Sequence, residues 1–315
     1  MNTIKLEIIE FLNHCKYEKN LNSKTIKAYS IDLKQFLSFM IDHKKSLFIP
    51  DISKNEIRGF LESISNMEPK SIKRKIATIK SMFNFLEFED KILINPFRKM
   101  KIKIQEEKKL PRVMDIEDIK AILKSAYDLN NLCNDASTYT YSETLRNAVV
   151  VELLFATGAR VSEIANLKLD NINVLVGAIT IKGKGNKERI IEVCNKETIQ
   201  LLKKYQNHFI DKIHNSGGYF LVNRLGNKLS DQSIRCMVKT ISNNVGITKH
   251  ITPHVFRHSL ATLLLENDVD IKYIQSILGH SSIMTTQIYT HVNRKKQRQI
   301  LTLKHPRKNL CMASI

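Results

Sequence analysis

Apolar residues recur every three or four positions through the first hundred residues, a spacing that predicts a bundle of amphipathic helices. Ile4, Ile8, Phe11, Leu12 and Cys15 share one helical face, and Ile26, Tyr29, Leu33, Phe36, Leu37 and Met40 share another. Ser53 followed by Glu56 has the spacing of a capping box and predicts a third helix running through Leu61. A fourth is expected from about Pro69, with Ile72, Ile76, Ile79, Phe83 and Leu86 inward and Lys73, Arg74, Lys75 and Lys80 toward solvent. Those four bases read equally well as grips for phosphates or as the wet face of an ordinary amphipathic helix.

Periodicity fades after Asn95-Pro96, and the charged stretch from Lys99 to Pro111 reads as a connector. The expected organisation is a helical domain over residues 1–100, a linker over 101–112, a larger domain over 113–300 and a tail over 301–315. In the larger domain the pattern predicts helices from about Ile116 and from Leu145 to Ala156, with a shorter one opened by Arg160. Asp128 to Ser142, polar and without period, is expected to be a surface loop. Ala178–Ile181 and Arg189–Val193 alternate as strands around Gly183–Lys187, which predicts a β-hairpin with a flexible tip. Helices follow from Lys196, interrupted by a short strand at Tyr219–Val222. The fold class is therefore mainly α with a small antiparallel β-sheet, in two domains.

Composition narrows the partners. A chain of 315 residues with 43% hydrophobic positions can bury two cores. Its formal net charge of +19 and pI near 9.6 point to a polyanion, and nucleic acid is the first to consider. The charge is spread along the chain, +8 over residues 1–110 and +11 over the rest, so both domains are expected to face one phosphate backbone. Cys15, Cys133, Cys194, Cys236 and Cys311 are scattered with no C-x-x-C pair, which argues for a reducing compartment and against a zinc ribbon. The N-terminus carries charges where a signal peptide needs an apolar stretch, and no run approaches a membrane span. A soluble cytoplasmic protein with no membrane partner is expected.

Cleaving a phosphodiester without a metal requires a nucleophile, charge partners for the transition state, a proton for the leaving oxygen, and orientation. Tyr289 can supply the nucleophile, since a phenol of pKa about 10 is a better oxyanion than an alcohol and can hold the phosphate covalently. Arg160 and Arg257 suit the charge, because a guanidinium fork donates bidentately to phosphate and never deprotonates. His254 lies three positions before Arg257, close to one helical turn, and His280 follows Gly279. Lys184, at the hairpin tip, is placed to act as general acid. His254 and His258 stand at i and i+4, but no glutamate follows His254 and no third ligand is evident, so no metal is expected. His258 is expected to pack beneath the site.

Together the runs ATGARVSE (Ala156–Glu163), GKGNK (Gly183–Lys187), HVFRH (His254–His258), LGH (Leu278–His280) and YTH from Tyr289 resemble the tyrosine recombinase (phage integrase) family in order and spacing. The resemblance covers most of the chain and is most like the Xer site-specific recombinases, whose tails His305-Pro-Arg307 also matches. It implies a C-shaped clamp on double-stranded DNA, formed by a SAM-like core-binding domain and a catalytic domain. It further implies a 3′-phosphotyrosine at Tyr289, phosphate binding by Arg160 and Arg257, proton donation by Lys184, and assistance from His254 and His280. Lys187 joins the basic helix positions as a DNA-binding candidate. No cofactor, metal or ATP is implied. Four protomers, identical or of two kinds, would exchange strands through a Holliday junction at a specific recombination site, with the segment from about Lys295 docking on a neighbour. The Xer likeness implies resolution of chromosome or plasmid dimers, with a septal DNA translocase as a further partner. Integrases of mobile elements share every one of these motifs, and the long polar stretch from Asp128 to Ser142 departs from the Xer pattern. A non-catalytic DNA-binding regulator would explain the charge and the helices, but not six catalytic positions retained together.

Overall fold

The structure, a computed structural model, describes residues 3–106, 112–133, 135–183 and 188–279. The chain divides into two compact units, Met1–Lys109 and Leu110–Ile315.

The first unit is built from α1 (Ile4–Asn13), α2 (Ser23–Asp42), α3 (Lys54–Ser63) and α4 (Pro69–Phe88), with a single π-helical turn over His14–Glu18. Three of the four starts have a local cause. Asn22 accepts the Lys24 N–H at 2.9 Å ahead of α2, and Pro69 occupies the first turn of α4, where no N–H is needed. The Ser53 and Glu56 box closes as expected, with Glu56 accepting the Ser53 N–H at 2.9 Å. Phe11, Leu33, Phe36, Met40, Ile57, Phe60, Ile79, Phe83 and Leu86 form the core.

Two expectations need correcting here. Lys75 is not a solvent-facing base: it is 4% exposed and its Nζ donates to Asp32 at 3.2 Å and to Gln35. Asp32, fully buried on α2, also takes Arg74 and the Thr78 hydroxyl at 3.1 Å. This is an ion-paired tie between α2 and α4, since a buried charge persists only when paired. Arg74 is half-exposed, Lys73 reaches Glu106 at 3.0 Å, and Lys80 is exposed. The start of the supposed linker is also part of this unit, because Met100, Ile102 and Ile104 pack against its core.

The second unit wraps around α6 (Tyr139–Thr157), whose Leu145, Val149, Val150, Val151, Leu153 and Leu154 are buried around its whole circumference. Packed on it are α5 (Ile116–Asn131), α7 (Val161–Ala165), α8 (Lys196–Asn215), α9 (Asp231–Asn244) and α10 (Pro253–Glu266), and α11 (Ile271–Leu278) lies against α10. Three antiparallel strands, β1 (Ile172–Asn173), β2 (Ala178–Lys182) and β3 (Glu188–Glu192), pair in sequence order. The register sets Ile179 opposite Ile191 and Ile181 opposite Arg189. Period-two alternation therefore puts Arg189 on the same face as the buried Ile191.

Here too the pattern misleads in places. The polar stretch from Asp128 to Ser142 is helical at both ends, belonging to α5 and α6, and only a short connection separates them. Thr138 caps α6, accepting the Tyr141 N–H at 3.2 Å, so that helix begins well before Leu145. Tyr219–Val222, buried from Phe220 on, is not a strand; it makes isolated bridges, Lys168 with Tyr219 and Val222 with Lys228, because tight turns on either side leave no room for a ladder. Strand β1 has no counterpart in the sequence expectation.

Candidate active site

The site is assembled where α6 ends. Gly158 terminates that helix at φ +56, in the left-handed region that favours glycine. A Cβ there would lie 2.8 Å from Cδ2 of both Leu260 and Leu278, so packing demands glycine as well. The chain leaves the turn extended, and Arg160 becomes the N-cap of α7.

Glu163, one turn into α7, holds this arginine. Its Oε2 accepts the Arg160 N–H at 3.0 Å and its Oε1 takes Arg160 Nη1 at 2.8 Å. Arg189 of β3 donates Nη2 to Glu163 at 2.7 Å and Nε to the Ile277 carbonyl at 2.8 Å. Burial alone would raise the Glu163 carboxyl, but the Arg189 hydrogen bond, the Arg160 N–H and the Arg189 charge hold it below the ordinary carboxylate value. Arg160 keeps 38% of its side chain exposed and gives Glu163 one of its five donors.

Arg257 comes from α10, which Thr252 caps and Pro253 opens. It is 4% exposed, and its fork donates to two carbonyls, Nη1 to Gly158 at 2.7 Å and Nη2 to Leu278 at 2.6 Å. Those are the last carbonyls of α6 and α11, groups that a helix end leaves unsatisfied. The guanidinium plane is thus fixed by backbone on two sides. His254, one turn earlier, retains an exposed edge. Partial burial of its ring, then the charges of Arg257, Arg235 and Arg160, hold it below the usual histidine pKa, so it is neutral near pH 7. His258 is depressed in the same direction by burial, His254 and Arg257.

The described residues thus bring Arg160, His254 and Arg257 into one electrostatic cluster. Lys184, Lys187, His280 and Tyr289 lie outside the described residues. Three residues join the cluster that were not singled out as site residues: Glu163, Arg189 and Arg235. Glu163 stands three positions after Arg160, the reciprocal capping spacing, and Arg189 stands two before buried Ile191; both signals were in the sequence.

A pair of braced arginines beside a neutral histidine is suited to binding a phosphate and stabilising the charge of its transition state. Comparison with known proteins agrees. Residues 115–296 match the phage integrase family, and residues 8–90 match the phage integrase N-terminal SAM-like domain. The chain is 42% identical over 313 residues to a tyrosine recombinase of Agathobacter rectalis, covering 98% of this chain and 99% of the relative. It is 36% identical over 306 residues to tyrosine recombinase XerD of Listeria innocua, covering 95% and 98%. Among solved structures, it is similar to XerH site-specific recombinase bound to palindromic difH substrate in a post-cleavage complex, with a TM-score of 0.74 at 22% identity, over 94% of this chain and 84% of that one. A lambda integrase dimer bound to a COC′ core site gives a TM-score of 0.70 at 17% identity, over 91% and 95%. At such identities these two likenesses are of fold. The chain belongs to the tyrosine recombinase (phage integrase) family, as a DNA-cleaving and rejoining enzyme of the site-specific recombinase type.

Proposed function

We propose that this enzyme recombines double-stranded DNA at a specific site through a 3′-phosphotyrosine on Tyr289. The phenolic oxygen attacks phosphorus, the bond to the 5′ oxygen breaks, and Lys184 supplies the proton that leaves with it. Arg160 and Arg257 bind the non-bridging oxygens as charge accumulates, while His280 and the neutral His254 accept and return protons. Attack of a 5′ hydroxyl on the phosphotyrosine reverses the sequence, so the linkage energy is kept and no ATP is consumed. The observation that carries this reading is the bracing of both arginines before any substrate arrives, Arg160 by Glu163 and Arg257 by two helix-end carbonyls.

The biological reading is Xer-like resolution of chromosome or plasmid dimers in the cytoplasm, by a homo- or hetero-tetramer on DNA, with a septal DNA translocase as activator. Full-length likeness to XerD supports it. So does the helical structure at both ends of the stretch from Asp128 to Ser142, which shortens the loop that set this chain apart. No helix among the described residues is long and apolar enough to cross a membrane. Residues 1–106 serve as the core-binding domain and those from 112 to about 300 as the catalytic domain. Lys73, Arg74, Lys80 and Lys187 are assigned to phosphate contacts; Lys75 is not, being buried against Asp32.

The deciding experiment uses a nicked duplex that traps the cleaved product. Tyr289→Phe should bind it as the wild type does and form no covalent adduct. A protein–DNA adduct that survives denaturation in this variant would refute the assignment.

A further inference from the structure

We infer that the second unit carries an anion pocket, separate from the recombination centre, that takes a small phosphorylated molecule of nucleotide size. The pocket is a cavity of ≈ 360 Å³ between the start of α6, the second half of α8 and the turn after Val222. It lies about 16 Å from the Gly158 turn, as the axial rise over the eleven residues from Arg146 to Thr157 requires. Three cations line it, Arg146, Lys212 and Arg224, and no carboxylate is among the lining residues.

Arg146 carries the argument. Its side chain is 5% exposed, and its Nε is buried with no hydrogen-bond partner. The nearest ion-pair contact is Glu143 at 3.8 Å, beyond hydrogen-bonding distance, and Glu143 is itself 43% exposed. A buried Nε–H without an acceptor, on a guanidinium whose one ion-pair contact is long, is stabilised when an anion completes it. The remaining groups suit a phosphate ester. Lys212 and Arg224 are held beside each other, Lys212 Nζ donating to the Arg224 carbonyl at 3.4 Å, and the Ser142 hydroxyl, bonded to His208 Nε2 at 2.7 Å, lies on the rim. Three positive charges match the charge of about −2 on a phosphomonoester, and the guanidinium fork matches its oxygens. Tyr139, 48% exposed with Arg224 over its ring at 5.6 Å, supplies aromatic surface for a planar body, and the volume falls in the range of small-ligand sites.

The test is titration calorimetry on the full chain with AMP, inorganic phosphate and adenosine. AMP should bind, inorganic phosphate should bind more weakly, and adenosine should not bind. The double variant Lys212→Ala/Arg224→Ala, which changes two exposed residues, should weaken AMP at least about tenfold. Arg160→Ala should leave AMP binding intact, because that arginine belongs to the other site. Absence of binding by AMP and phosphate at millimolar concentration overturns the proposal. So does affinity unchanged in the double variant, or lost in Arg160→Ala, which would place the anion at the recombination centre. Protection of Lys212 and Arg224 by duplex DNA without AMP binding would likewise overturn it in favour of a DNA contact.

Discussion

Glu163→Gln isolates the network that orients Arg160. The substitution keeps the size of the side chain and one carbonyl oxygen, and removes the charge shared by Arg160 and Arg189. Removing one partner of a buried pair costs about 3–5 kcal/mol. Two features reduce that figure: the amide still accepts one hydrogen bond, and Arg160, at 38% exposure, is partly screened by solvent. Arg189, at 11% exposure, has no such relief. A loss of about 2 kcal/mol follows, or about thirtyfold in local opening, which hydrogen exchange at the amides of α7 and β3 would read directly. The effect has a pH signature. Because the folded carboxyl titrates below its unfolded value of about 4.3, its stabilisation is complete above that pH and is lost as pH falls through the folded pKa. The gap between wild type and variant should therefore narrow in acid. Cleavage of the nicked duplex should fall about 10²-fold as Arg160 loses its alignment, with DNA affinity little changed. Unchanged exchange protection together with cleavage within twofold of wild type would refute the bracing role.

Asp32→Asn leaves Lys75 buried among neutral groups and should cost the first unit about 3–5 kcal/mol, measured as earlier urea unfolding of that unit; a midpoint matching wild type would show the tie contributes nothing. Gly158→Ala meets both a left-handed backbone and two leucine contacts at 2.8 Å, so a loss of about 2–4 kcal/mol is expected in thermal denaturation. Arg257→Lys keeps the charge but cannot bridge the Gly158 and Leu278 carbonyls, and cleavage should drop about 10²–10³-fold in single-turnover assays. Near-normal rates would mean that charge alone suffices there.

Most of this architecture was legible because apolar period and cap chemistry agree. Ser53 with Glu56, and the Ile72 to Leu86 series, read directly onto α3 and α4. Two of the misreadings, Lys75 and the supposed loop from Asp128, share one cause, which is treating polarity as exposure. Lys75 precedes Ile79 by four positions and follows Ile72 by three, so it sits on the buried face; Asp32 holds the same relation to Tyr29 and Phe36. Opposite charges, one on each of two facing apolar stripes, are a pair that the two wheels taken together would have disclosed. Asn130 repeats the lesson in the supposed loop. It is 3% exposed, its amide donates to Thr144 at 3.2 Å, and its oxygen accepts Lys204 at 3.0 Å. Polar residues there join helices to one another. Tyr219–Val222 errs the other way, since an apolar run predicts burial and says nothing about whether a neighbouring strand is available.

Among the described residues, the cluster of Arg160, His254 and Arg257 was legible in the sequence, while part of what supports it was hidden, because it acts through backbone carbonyls that have no sequence identity. Arg257 is recognisable from its motif, but its acceptors are the carbonyls of Gly158 and Leu278. Arg189 likewise binds the carbonyl of Ile277. Two arginines from different elements thus satisfy successive carbonyls at the end of α11, just before the turn at Gly279 that leads toward His280. The same two arginines connect to the Gly158 turn and to Glu163, and so to Arg160. Any shift of α11 must therefore disturb the hydrogen bonds of Arg257 and of Arg189 together. The end of α11 and the arginine cluster form one hydrogen-bonded unit, so under the proposed function a phosphate held by the arginines would be coupled to the position of α11.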